Sequence, residues 1–236
     1  MTYSCAMIWH DLSSLILDTL FPRLCSGCSE PLQRKEFCLC LSCFVKLPRT
    51  GFVCGTDNPV ERLFQGRIQL ESATSFLLFR KAGLSQRLMH RLKYKGDEAL
   101  GLELGRHFGR YLKNMVGCDL PEALTCVPLH KEKKQKRGFN QSAAIAKGMS
   151  EILEIPLLED LLTRPEHSET QTRKKRYERW ENMQSGFVAG DIGELKHVGL
   201  VDDVITTGAT LEACASVLKR QVDLKISVFA LCISIK

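Results

Sequence analysis

GLVDDVITTGATL, residues Gly199–Leu211, is the stretch that decides the fold. It begins in an apolar, β-branched run, continues through two adjacent carboxylates and a turn of small hydroxyl residues, and then takes helical apolar spacing through Leu211, Ala215 and Leu218. This order predicts a strand over 196–202, a turn, and a helix over 209–221. Strands and helices also alternate upstream, which predicts an α/β fold with a parallel sheet flanked by helices.

The turn within this stretch has the chemistry of a phosphate site. Backbone amides and hydroxyls stand where a helix begins, in Thr206, Thr207, Gly208, Ala209 and Thr210. Asp202 and Asp203 disfavour a phosphate, but carboxylates accept hydrogen bonds from vicinal hydroxyls and ligate divalent cations. The combination predicts a sugar phosphate bound together with magnesium. The alternative is an ordinary strand-to-helix connection in which the two aspartates only cap or turn.

Length and charge bound the rest of the molecule. The 236 residues, 44% of them hydrophobic, have room for one α/β domain and a small appendage, and the net charge of +6 favours anionic partners. The apolar segment Leu12–Leu20 is too short and too polar to span a membrane, and it lacks the basic flank and cleavage site of a signal peptide. We therefore expect an amphipathic helix over Asp11–Leu20 in a cytoplasmic protein.

Six of the eleven cysteines lie between residues 25 and 54, which favours metal binding in a reducing compartment over disulfides. Two C-x2-C pairs have the spacing of a structural zinc site, and they are Cys25/Cys28 and Cys40/Cys43. Cys38 is a competing ligand, and a cluster of reduced thiols is the alternative. We expect a zinc-ribbon domain over residues 1–60 and the α/β domain over 61–236.

The middle of the chain predicts a strand from Ala73 and two helices, Gly83–Tyr94 and Glu98–Met115. The cations of the first helix favour a solvated face. Glycines at four-residue spacing in the second helix, which are Gly101, Gly105 and Gly109, would allow close packing on a neighbour. A strand Ala123–Pro128 and a helix from about residue 141 to 153 follow.

A basic loop connects that strand and helix. Five cations stand there, and they are Lys131, Lys133, Lys134, Lys136 and Arg137. Because the loop lies at the carboxyl end of a strand, we expect it to bind the pyrophosphate end of the ligand whose 5′-phosphate lies in the turn at Gly208. A solvated basic loop and a nucleic-acid patch are the alternatives.

A polar segment over residues 164–187 has the character of a mobile cover over a site. Its cations would clamp a pyrophosphate or contact nucleic acid, and they include Lys174, Lys175, Arg176 and Arg179. Tyr177 and Trp180 would stack on a base, although aromatics on one helix face belong more often to a core.

The stretch from Gly199 resembles the phosphoribosyl pyrophosphate (PRPP) loop of type I phosphoribosyltransferases. The chain as a whole resembles the ComF family of competence-associated, phosphoribosyltransferase-like proteins. Five features in one order carry this resemblance: the four-cysteine element, LKYKG, VPLHKEKKQKRGFNQS, TQT…ERWENMQSGF and LVDDVITTGAT. The extra Cys38 departs from the pattern.

The resemblance implies a zinc ribbon followed by a fold that binds PRPP and magnesium, with a role in natural transformation and the handling of single-stranded DNA beside competence-machinery proteins. It implies that Asp202 and Asp203 contact the ribose, that residues 206–210 hold the 5′-phosphate, and that His130 and Lys131 contact PRPP. Three residues of the covering segment are implied in anion binding, which are Gln171, Arg176 and Arg179.

Two functional hypotheses follow. In an enzyme, a nucleophile would attack C1 of PRPP as pyrophosphate leaves, with Lys131 and Arg137 stabilising the leaving group and Asp202 and Asp203 holding the ribose. In a binding protein, PRPP would be a ligand or relic, and the basic surface would bind single-stranded DNA. The sequence contains no recognisable base pocket that would identify an acceptor.

Overall fold

The computed structural model describes residues 22–165, 186–220 and 223–235. The chain divides into two compact units after Leu47, earlier than the predicted boundary after residue 60. The reason is that residues 48–58 run along the strand Ser72–Leu78 (β1): the amide of Leu78 donates to the carbonyl of Pro48 over 2.7 Å. The predicted helix Asp11–Leu20 lies outside the described residues.

The first unit is built on a tight turn and one short helix. The turn Cys25–Cys28 is closed by the amide of Ser29, which donates to the carbonyl of Cys25 over 2.8 Å. The helix Leu41–Val45 (α1) begins at Cys40, whose sulfur accepts the amide of Cys43. Within residues 22–47 the buried apolar side chains are few, so packing alone gives this part of the chain a small core.

The second unit alternates strands and helices. After β1 its elements are α3 Leu84–Tyr94, α4 Glu98–Lys113, β2 Ala123–Cys126, α5 Lys131–Arg137, α6 Gln141–Leu153, β3 Leu162–Thr163, β4 Val188–Ala189, β5 His197–Ile205, α7 Ala209–Lys219 and β6 Lys225–Ile233; the short helix α2, Pro59–Arg62, precedes β1. A 3₁₀ turn, Glu159–Leu161, directly precedes β3.

Four strands form a parallel sheet in the order β1-β6-β5-β2, so β5 and β6 are central. Both central strands are almost continuously buried, as expected of parallel strands covered on both faces. Helices cover both sides: Phe108 of α4 packs edge-on against Phe229 of β6, whereas α7 packs with Val228 and Ala230 on the other face. The predicted parallel sheet flanked by helices is confirmed.

The prediction of close packing at the α4 glycines is also confirmed. A Cβ atom on Gly105 would lie 2.1 Å from the carbonyl oxygen of Ile145 in α6, and one on Gly148 would lie 2.1 Å from the carbonyl oxygen of Leu102. Only hydrogen fits between the two backbones at this crossing. The crossing fixes α6, whose first turn faces the end of β5.

The predicted basic loop is instead a helix, α5. Lysine, glutamate, glutamine and arginine are good helix formers, and Gly138 ends the helix with φ of +85° and an amide that donates to the carbonyl of Lys134. These helix propensities prevail over the repulsion among the cations of the segment. Within residues 22–165, 186–220 and 223–235, no helix is long and apolar enough to cross a membrane.

Candidate ligand site and metal centre

A strand, a turn and a helix N-terminus hold the residues predicted to bind a sugar phosphate. Asp202 and Asp203 lie near the carboxyl end of β5, and the turn after them exposes Thr206 and Thr207. Gly208 has φ of +75° and packs against the ring of Phe64, so a side chain there would be strained. Gly208 offers no capping side chain, and Thr207 Oγ1 accepts the amide of Ala209 over a long 3.5 Å, so this helix N-terminus can present backbone amides to an anion.

Asp202 is held from two sides. One carboxylate oxygen accepts the hydroxyl of Ser142 over 2.9 Å and the backbone amide of Asp203 over 2.8 Å. Burial and the neighbouring charge of Asp203 raise the pKa of Asp202 to about 7. Ionisation of a carboxyl group in such surroundings costs the folded protein stability. A group kept at that cost is typical of a binding site.

Asp203 has a cation partner that the sequence analysis missed. The ammonium of Lys93, in the last turn of α3, lies 2.9 Å from a carboxylate oxygen of Asp203. The expectation of a solvated face therefore fails at Lys93, although it holds for the exposed Lys95. The sequence signal for this contact was the LKYKG segment, in which Lys93 and Lys95 lie on different faces at the end of α3.

Removing this partner has a measurable consequence. We expect Lys93→Met to lower the free energy of unfolding by about 1–3 kcal/mol, because it leaves the buried Asp203 charge unpaired beside Asp202; the value is below that of a fully buried pair because Lys93 keeps part of its exposure. Lys95→Met is the matched control and should change stability by less than about 0.5 kcal/mol. Chemical denaturation measures both, and equal effects would contradict the pairing.

A second unpredicted residue supports the turn from below. Arg67 donates to the carbonyl of Thr207 over 2.8 Å and forms an ion pair with Glu212 in the first turn of α7. The guanidinium therefore ties the turn to the helix that follows it. No motif in the sequence connects Arg67 to residues 140 positions further on, so only the fold reveals this contact.

The predicted cations lie at the same edge of the sheet as the aspartates. β2 is parallel to β5, with Cys126 opposite Val201, so α5 leaves the sheet beside the end of β5. No residue of α5 is buried, and Lys131, Lys133, Lys134 and Lys136 are all exposed. Arg137 differs, because it donates to the side chain of Gln141 over 2.8 Å.

His130 caps the start of α5, and its ring lies 3.8 Å from the carboxylate of Glu132. The residues predicted to cover the site, which are Gln171, Arg176 and Arg179, lie outside the described residues, as do Tyr177 and Trp180.

Four cysteine sulfurs converge in the first unit. Those of Cys25, Cys28, Cys40 and Cys43 all lie within 4.8 Å of one another, and Cys28 and Cys40 are separated by 3.7 Å. Ligands 2.3 Å from a tetrahedral zinc ion stand about 3.8 Å apart, so the cluster has room for such an ion. Cys38 is not part of this group.

Backbone amides point at two of these sulfurs. The Cys25 sulfur accepts from the amides of Gly27 and Cys40, and the Cys40 sulfur accepts from the amide of Cys43. Although burial raises the pKa of Cys25, these amide hydrogen bonds outweigh it and bring the pKa down to about 7. Amides that stabilise thiolates are the usual surroundings of metal-bound cysteines. The group can hold a metal ion.

No family model matches the chain. Among curated proteins it is 29% identical over 203 residues to Competence protein F of Haemophilus influenzae, a match covering 84% of each chain. It is 26% identical over 212 residues to DNA utilization protein YhgH of Escherichia coli K12, and 25% identical over 221 residues to Competence protein ComFC of Bacillus subtilis. Each of these two matches covers 89% of both chains.

Solved structures give weaker likenesses. A purine phosphoribosyltransferase from Pyrococcus horikoshii aligns with a TM-score of 0.32 and 15% identity, over 56% of this chain and 81% of that one. A hypoxanthine phosphoribosyltransferase from Staphylococcus aureus aligns with a TM-score of 0.31 and 15% identity, over 58% of this chain and 64% of that one.

Proposed function

We propose that this chain, as a member of the ComF family, binds PRPP at the end of β5 and acts in the uptake or use of DNA. The observation that carries the PRPP proposal is one juxtaposition. Two adjacent carboxylates, an uncapped helix N-terminus and an exposed basic helix all lie at the carboxyl edge of one parallel sheet. Ligands of α/β proteins bind at this edge.

Each part of PRPP has a matching group. In this proposal the 5′-phosphate lies on the amides and hydroxyls of residues 206–210, and the ribose hydroxyls donate to Asp202 and Asp203. The pyrophosphate faces α5, where His130, Lys131 and Arg137 stand at or near the helix ends. If PRPP is turned over, Lys131 and Arg137 stabilise the charge that develops on departing pyrophosphate.

The proposal includes magnesium with PRPP. The fit rests on the donor set, because two adjacent carboxylates supply the oxygen ligands that Mg²⁺ prefers, and burial makes Asp202 gain from an added positive charge. Magnesium bound with PRPP would neutralise part of the pyrophosphate charge. Lys93 pairs with Asp203, and a magnesium ion bound there would compete with this ammonium for the carboxylate.

The proposal also assigns zinc to the four-cysteine cluster. An all-sulfur, four-ligand set leaves no open position for a substrate, so the ion would stabilise the first unit and take no part in chemistry. The small apolar core of that unit supports such a role.

Ligand-induced stabilisation tests the PRPP proposal. With magnesium present and PRPP at about one hundred times its Kd, we expect the melting temperature to rise by roughly 5–10 °C, because binding to the folded state adds about 2.7 kcal/mol. Ribose 5-phosphate or pyrophosphate at the same concentration should give a smaller rise, since each fills only half of the site. A rise with pyrophosphate alone that equals the rise with PRPP would contradict a site for the whole molecule.

One observation favours DNA as a second ligand. The four lysines of α5 are all exposed, and relatives of this chain are named for competence and DNA utilization. Lysines that neutralise phosphates release counterions, so binding of single-stranded DNA should weaken steeply with salt.

Charge removal on α5 should show this directly. We expect Lys133→Gln with Lys134→Gln to reduce the slope of log affinity against log salt by about 1.4, or about 0.7 for each lost phosphate contact. The control pair, Lys196→Gln with Lys225→Gln, makes the same change in net charge at the opposite ends of the strands. Filter binding or fluorescence anisotropy with an oligonucleotide reports the slope. An equal reduction of the slope in both double variants would mean that binding depends on the net charge of the protein and not on α5.

A further inference from the structure

Two cysteines outside the four-cysteine cluster, Cys54 and Cys118, lie side by side in the second unit. Their sulfur atoms are 2.6 Å apart although the residues are 64 positions apart in the chain. Each residue adjoins a glycine with positive φ, Gly55 at +69° and Gly117 at +78°, so a tight turn presents each thiol to the other. The two sulfurs need to approach by only about 0.6 Å to reach bonding distance.

The environment of Cys54 favours its thiolate. Hydrogen bonds from the thiol of Cys118 and then from the hydroxyl of Ser72 lower the pKa of Cys54, although burial opposes the shift. Cys118 keeps its proton, because donation to Cys54 and burial raise its pKa. The pair therefore consists of one nucleophilic sulfur and one adjacent thiol, which is the arrangement of an attacking and a resolving cysteine.

A chain of polar side chains leads away from this pair. The hydroxyls of Ser72 and Ser227 lie 2.9 Å apart, and the hydroxyl of Ser227 lies 2.8 Å from Nε2 of the buried His197. On its other side His197 faces Asp119, with 3.8 Å between Nδ1 and the carboxylate, and Asp119 follows Cys118 in the chain. The network keeps Ser72 fixed beside Cys54.

Three other cysteines have no such surroundings. Cys126, Cys214 and Cys232 lie in the core of the second unit, and burial raises the pKa of each of them, that of Cys126 to about 12. They act as small apolar side chains.

We propose that Cys54 and Cys118 are an oxidisable dithiol that hydrogen peroxide converts into an intramolecular disulfide. The Cys54 thiolate attacks one peroxide oxygen, giving a sulfenic acid and releasing hydroxide, which is protonated to water. The sulfur of Cys118 then attacks the Cys54 sulfur, so that the S–S bond forms and the sulfenic hydroxyl leaves as the second water. Two electrons pass from the two thiols to the peroxide, and both thiol protons end in water.

A small oxidant has two approaches to this pair. Cys118 is partly exposed, whereas Cys54 is 5% exposed. Gly55 follows Cys54 in the chain, and Ser72 contacts the Cys54 sulfur. Both residues line a cavity of about 560 Å³. The dithiol lies near the amino ends of the strands, whereas the proposed PRPP site lies at their carboxyl ends. A negative result for one proposal therefore leaves the other unaffected.

Peptide mapping of the full-length, zinc-loaded protein tests the dithiol. After treatment with one equivalent of hydrogen peroxide and alkylation, we expect a cross-linked peptide pair containing Cys54 and Cys118, with the four cysteines of the first unit still carrying zinc. The cross-link should raise the melting temperature by roughly 5–10 °C, because it closes a long loop. Unmodified Cys54 and Cys118 under conditions that oxidise other cysteines would overturn the proposal.

Variants separate the role of Cys54 as the attacking cysteine from that of Cys118 as the resolving cysteine. In Cys118→Ser, Cys54 should form a sulfenic acid that dimedone traps, and the cross-link should be absent, whereas Cys214→Ser should cross-link like the natural chain. Ser72→Ala should slow alkylation of Cys54 by about three- to tenfold at pH 7 and move its pH profile upward, because Ser72 is a positioning residue that stabilises the thiolate. If Cys118→Ser yields no folded protein, the map of the natural chain alone decides. Oxidation of Cys54 to a sulfinic acid in the natural chain, without any cross-link, would refute the dithiol.

Discussion

Replacing both Asp202 and Asp203 with asparagine should abolish the stabilisation of the protein by PRPP. Asparagine keeps the size of each side chain but removes the charge that would ligate magnesium and replaces one of the two acceptor oxygens with an NH₂ donor, which cannot accept from a ribose hydroxyl. We expect affinity to fall by at least about 100-fold, equivalent to about 2.7 kcal/mol. A thermal-shift titration with PRPP and magnesium measures the loss.

The same change should leave the ligand-free protein folded. The pKa of Asp202 is raised to about 7 from a value near 4 in an unfolded chain, so its ionised form costs stability above about pH 4, and the cost grows until about pH 7. Asp202→Asn removes that cost and should preserve or raise the melting temperature at pH 7.5. Asp160→Asn, at an exposed position, is the control and should retain full PRPP response. Loss of the ligand response through unfolding would contradict this account of the two aspartates.

Removing the metal should unfold the first unit. Structural zinc contributes about 10–16 kcal/mol in small zinc domains, far more than the few buried apolar residues of this unit supply. We expect Cys25→Ser to lose zinc and to make residues 22–47 sensitive to protease, while the second unit, which has its own core, keeps its cooperative unfolding. Metal analysis and limited proteolysis of the full chain report both effects.

Cys38→Ser is the matched control, because Cys38 lies in the same segment but outside the sulfur cluster. It should retain one zinc ion per chain and resist protease. A folded protein without zinc, or equal loss of zinc in both variants, would contradict the proposed ligand set.

The parts of the fold that follow from local sequence were predictable. The helix α6, Gln141–Leu153, and the start of α7 at Ala209 match their predictions because Asn140 caps one and Gly208 opens the other. Apolar runs identify β5 and β6, because strands buried on both faces have apolar residues at successive positions and not in alternation with polar ones. The spacing of two cysteine pairs likewise anticipates the four-sulfur cluster.

Contacts between distant segments were not predictable. Lys93 reaches Asp203, Ser142 reaches Asp202 and Arg67 reaches Thr207 only because the fold brings together segments that are far apart in the chain. The pairing of Cys54 with Cys118 depends in the same way on where two loops end. The basic segment was predicted as a loop between a strand and a helix, but the helix propensity of its side chains outweighs the repulsion among its cations, which water screens.

Calorimetric titration of the natural chain with PRPP in the presence of magnesium tests the central proposal most directly. We predict one binding site per chain, an affinity at least tenfold higher for PRPP than for ribose 5-phosphate or pyrophosphate, and loss of the binding signal in the Asp202→Asn, Asp203→Asn double variant. Absence of binding to the folded, zinc-loaded protein, or binding unchanged in that variant, would contradict a PRPP site at the end of β5.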